Sequence, residues 1–101
     1  MRCEYKGCNN NAEYSIEWWG LDQDGKNPTI VDELHTCNNP EHVVNLSKHQ
    51  EFGGYPDEIQ SIGNYEPKTA ILYQVKDVID GKLEKIDISV ADPLKEQLRL
   101  F

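Results

Sequence analysis

Three cysteines and one histidine carry the clearest chemistry in this sequence. They fall as Cys3-x4-Cys8 near the start and Cys37-x4-His42 after 28 intervening residues. Three thiolates and an imidazole are the donor set of a closed, tetrahedral structural zinc site. Every cysteine of the chain belongs to the set. Two short-spaced pairs of this kind would grip one ion from two ends of a hairpin. Two other uses of the same residues compete. The cysteines could be small buried apolar side chains, or one disulfide and a free thiol. An odd count and the lack of a signal-like stretch fit a disulfide framework poorly.

The segments that must position these groups can be read from pattern. Gly7 permits a tight turn beside Cys8, and Asn9, Asn10 and Asn11 tolerate left-handed backbone, so residues 1–11 form a knuckle. From Ala12 to Trp18 the chain alternates, with Tyr14, Ile16 and Trp18 on one face and Glu13, Ser15 and Glu17 on the other. Leu21 to Pro28 is a turn by composition, and Thr29 to Thr36 is the return strand that delivers Cys37. Asn39 suits a helix N-cap, Pro40 the first helical position and Glu41 the positive end of the helix dipole. The helix is expected to run to about Glu51 or Phe52 and to stop at Gly53-Gly54. Residues 53–68 read as a long irregular connection.

Beyond it, Asp80-Gly81 is the signal of a two-residue hairpin turn. Folding there would pair Val75 with Ile86, Tyr73 with Ile88, and Ile71 with Val90 on one face, with Gln74 opposite Asp87 and Lys76 opposite Lys85 on the other. Asp92-Pro93 would start a short C-terminal helix carrying Leu94, Leu98 and Phe101 on one side. The expected class is α+β, a single zinc-stabilised domain over residues 1–101. Its zinc-binding half is 1–52, and a hairpin-plus-helix half covers 69–101.

Knuckle, hairpin, then a helix whose start carries the last two ligands: this order resembles the treble-clef class of zinc fingers. The resemblance covers residues 3–52 and rests on Cys3, Cys8, Cys37 and His42. The x4 spacings depart from the tighter pairs common in that class. A Cys-x4-Cys start in so small a chain is also similar, in composition only, to phage zinc-binding proteins. The resemblance implies a structural Zn²⁺ and a role in protein or nucleic-acid recognition. It also favours His42 as fourth ligand, because the first helical turn is where the class delivers one. His35, on the same strand face as Cys37, is the rival. The His-Me nuclease branch would need a base such as His35 and a helix ligand such as His49. No adjacent second ligand accompanies them, and the acidity of the chain disfavours DNA.

The net charge is −8, and each half of the chain contributes equally: 8 acidic against 4 basic residues in 1–50, and 10 against 6 in 51–101. Such a molecule repels phosphate backbones unless basic residues cluster, and no cluster is evident. Pairs such as Asp32-Glu33 and Asp57-Glu58 read most simply as solvated charge. No apolar run reaches the ~20 residues of a membrane span, and the thiols point to a cytoplasmic address, that of a phage-infected host included. The expectation is a non-enzymatic protein-interaction module that binds a neutral or basic protein through Trp18, Trp19, Glu13 and Glu17. An acidic inhibitor of a nucleic-acid-binding protein is the alternative, and a nucleic-acid-binding zinc finger comes third.

Overall fold

The computed structural model describes residues 1–48 and 54–89. In chain order the elements are β1 (Tyr14–Leu21), β2 (Pro28–Thr36), α1 (Pro40–Ser47), β3 (Glu58–Ser61) and α2 (Thr69–Ile79). The strands form one antiparallel sheet in the order β2-β1-β3. This is a small α+β architecture of three strands and two helices.

The alternation in β1 decides which side of the sheet the helices cover. Ile16 and Trp18 point to one face and are buried, as is Ile59 beside Ile16 on β3. Val43 and Val44 of α1 and Ile71, Leu72 and Val75 of α2 complete the same cluster, with Ile86 from the segment after α2. At roughly 2 kcal/mol per buried aliphatic side chain, this shared core is the main apolar contribution to folding. β1 is central, so its polar face is also shielded: Ser15 and Glu17 are 8% and 6% exposed.

The hairpin β1–β2 carries a bulge. Trp18 opposes Asp32 but Trp19 opposes Ile30, which leaves Val31 as the extra residue. Val31 lies over Gly20, where any β-carbon would stand 2.9 Å from a Val31 methyl. β3 lies within the stretch expected to be irregular. Four residues with one apolar member, Ile59, give no period to read. The strand exists because Ile59 is 1% exposed against Ile16, and Pro56 with Asp57 immediately precedes it. Asp57 replaces a ladder carbonyl with its carboxylate, which accepts from the Trp19 N–H at 2.7 Å.

Residues 69–79 correct the expected second hairpin. They form a helix, and its apolar stripe is Ile71, Leu72, Val75, Val78 and Ile79. Strand and helix readings share Ile71 and Val75. Leu72, 8% exposed, and Tyr73, 61% exposed, decide for the 3.6-residue period. An isolated hairpin would also be marginal in water, whereas a helix can cover the sheet. Asp80-Gly81 is still a reversal, but of another type. Gly81 (φ 80) follows the last helical turn, its N–H bonds Val78 O and the Lys82 N–H bonds Asp77 O. That is a Schellman cap, which needs the same left-handed glycine as a hairpin turn. The chain then folds back along the helix, so Gln74 and Asp87 meet as expected. They do so through the Gln74 side-chain amide and the Asp87 backbone, at 2.8 and 3.2 Å.

The start of α1 follows its sequence signals. The Asn39 side chain accepts from the Glu41 N–H at 2.9 Å, and Pro40 opens the helix. The helix ends at Ser47, with Lys48 as its cap. The expected continuation to Glu51 or Phe52, the stop at Gly53, His49, and the helix after Asp92-Pro93 lie outside the described residues.

Candidate metal centre

The N-terminal knuckle is built by its own backbone. The Cys8 N–H bonds Tyr5 O across a turn in which Gly7 takes φ 84, and the Cys3 N–H bonds Asn10 O. The knuckle is fastened to β2 where the Glu4 N–H bonds His35 O. Cys3 and Cys8 therefore face the end of β2, which supplies Cys37, and the first turn of α1, which supplies His42.

One donor atom from each of Cys3, Cys8, Cys37 and His42 lies within 4.8 Å of every other. Cys8 Sγ is 3.9 Å from Cys37 Sγ, and His42 Nδ1 is 3.3 Å from Cys37 Sγ and 3.9 Å from Cys3 Sγ. A tetrahedron with Zn–S of about 2.3 Å and Zn–N of about 2.0 Å has S–S edges of about 3.8 Å and S–N edges of about 3.5 Å. The Cys8–Cys37 and Cys37–His42 separations lie within about 0.2 Å of those edges, and the other pairs lie within 4.8 Å. The cluster can hold a metal ion, and its donor set is that of zinc.

Electrostatics within the cluster points the same way. Burial pushes the Cys3 thiol up, but backbone hydrogen bonds from Cys37 and Tyr5 and the neighbouring sulfurs outweigh it and bring Cys3 down to about 6. Burial pushes Cys37 up, and the sulfurs of Cys3 and Cys8 add to the rise against one backbone bond from Asn39. One thiolate thus forms readily and resists a second beside it, so the full ligand set calls for a cation at its centre. The Tyr5 ring stacks on His42, centroids 4.0 Å apart and 9° from parallel, and holds the imidazole with Nδ1 towards the sulfurs.

His35 is not in this cluster. Its ring Nδ1 lies 3.2 Å from Glu4 and its Nε2 bonds Glu33, on the sheet face away from the helices. The expected partner-contact residues divide. Trp18 is 3% exposed, packs under the helices and donates from its indole to Gly54 O at 3.2 Å. Glu17 is 6% exposed and accepts from Gln60 at 3.0 Å and from the Trp19 indole at 3.2 Å. These two, expected at the surface, are interior, because β1 is the central strand of the sheet. Trp19 and Glu13 are exposed. Glu33 and Glu58, read from the sequence as solvated charge, stand on either side of Glu17 in the register. Only the strand order could have shown that neighbourhood.

Comparison with protein-family models, curated proteins and solved structures returns no match. Among the described residues no helix is long and apolar enough to cross a membrane.

Proposed function

We propose that the chain is a zinc-stabilised module of treble-clef type that acts by binding another protein and catalyses nothing itself. The observation that carries this reading is the closure of all three cysteines and His42 into one compact cluster. Four strong donors occupy every position of a tetrahedral ion and leave no site for substrate or water. The cluster joins knuckle, hairpin and helix, which is where a structural ion stabilises a small fold. The partner is neutral or basic, since a molecule of net charge −8 disfavours nucleic acid as a direct ligand. An acidic inhibitor that occupies the nucleic-acid channel of a basic protein is a narrower form of the same reading, and the charge favours it.

The test is elemental analysis of protein purified without added metal, with expected zinc near one per chain. His35→Ala is expected to keep the zinc, and Cys37→Ser to lose it. A fully folded, metal-free protein would refute the structural-zinc reading. Metal-dependent cleavage of DNA that His35→Ala abolishes would refute the non-enzymatic one.

A further inference from the structure

The helices cover one face of the sheet. On the other face the register sets three glutamates in a row across three strands: Glu33 opposite Glu17, and Glu17 opposite Glu58. Like charges directly opposite on a sheet destabilise it. Among the described residues none of the three is in an ion pair with lysine or arginine; the imidazole of His35 lies between Glu33 and Glu4. Next to the row, on the same face, stands an apolar strip: Trp19, its cross-strand partner Ile30, and Leu21, exposed at 38%, 39% and 62%. The Trp19 indole is fixed by its hydrogen bond to Glu17. An oriented aromatic beside the carboxylates of Glu33 and Glu58, with Glu17 buried between them, is complementary to a guanidinium, which stacks on indole and pairs with carboxylate.

Resting on the reading above as a protein-binding module, we infer that the exposed part of this sheet face, Trp19, Ile30 and Leu21 with the flanking Glu33 and Glu58, is the docking surface, and that its occupant is an arginine-bearing, partly apolar segment of another protein. Charge selects that occupant. A second copy would set one glutamate row against another, and nucleic acid or an anionic membrane would meet the same repulsion. A cationic segment instead relieves the repulsion within the row. Its apolar side chains cover Ile30 and Leu21, and a pre-oriented Trp19 loses little freedom on contact.

The test uses the zinc-loaded full chain and two synthetic peptides, one alternating arginine and valine and one alternating glutamate and valine, with binding followed by amide NMR shifts at low salt. The arginine peptide is expected to bind saturably with shifts at Trp19, Ile30, Glu33 and Gln60, and the glutamate peptide to cause none. Trp19→Ala should weaken binding about tenfold or more, the scale of an anchor residue. Glu58→Gln should weaken it about threefold, typical of one exposed charge pair, while the melting temperature stays level or rises. That opposition of signs is not expected of a carboxylate kept for structure. Tyr73→Ala, an exposed aromatic on α2, should change nothing. Shifts that map to the groove between α1 and residues 84–88 would overturn the assigned face and leave the module reading standing. No saturable binding, or binding indifferent to Trp19→Ala and Glu58→Gln, would overturn it as well.

Discussion

Removing the metal should release the knuckle and spare the core. Bonds to sulfur aside, five hydrogen bonds given by backbone N–H groups hold residues 1–12 among the described residues. Four run from Cys3 to Asn10, Glu4 to His35, Cys8 to Tyr5 and Ala12 to Met1 carbonyls, and one from the His35 N–H to the Glu4 carboxylate. At about 1 kcal/mol net each, they supply about 5 kcal/mol. Fixing a dozen residues costs about 12–24 kcal/mol in backbone entropy. A structural zinc contributes about 10–16 kcal/mol, which closes the difference. The core cluster of Ile16, Trp18, Ile59 and Val75 lies apart from this balance. Hydrogen exchange on zinc-loaded protein, chelator-treated protein and Cys37→Ser gives the readout. Amides of Cys3, Cys8 and Ala12 should lose their protection in the last two, while Ile16, Trp18 and Val75 keep much of theirs. Equal protection of the knuckle with and without metal would show that the backbone holds it alone, and the reasoning would fail.

A further outcome follows from a single position. Gly81 takes φ 80 with open space around a would-be β-carbon, so Gly81→Val meets conformational strain and no clash. It should cost about 1–2 kcal/mol in urea unfolding, the penalty of left-handed backbone for an L-residue; unchanged stability would place the cap elsewhere.

The zinc-site half was legible because its signals are local. Gly7, Asn39 and Pro40 each fix a turn or a cap, and the alternation of Tyr14, Ile16 and Trp18 names the buried face. The second half misled because one signal has two structural uses. Asp80-Gly81 marks a left-handed glycine, and both a hairpin turn and a helix cap need one. Ile71 and Val75 suit either period, so the choice rested on Leu72 and Tyr73. β3 was invisible because four residues carry no pattern and Ile59 is placed by tertiary contact with Ile16. The burial of Glu17 escaped for a related reason: alternation says that a residue faces away from the core, not that its strand is central.

On the proposed reading, the two faces of β1 divide stability from recognition. Its apolar side joins the core, and an ion held by the cluster beside it would fasten the knuckle, so the exposed rim of the other side is less constrained by folding. A sheet selected for stability alone would place lysine or threonine opposite Glu17. This one places Glu33 and Glu58 there and leaves an exposed tryptophan bonded to the middle carboxylate. The glutamate row lowers the stability of the free chain, and a cation laid against Glu33 and Glu58 would relieve it. A small domain can tolerate that arrangement only when its stability comes from somewhere else, and the Cys3, Cys8, Cys37 and His42 cluster is where this chain can find it.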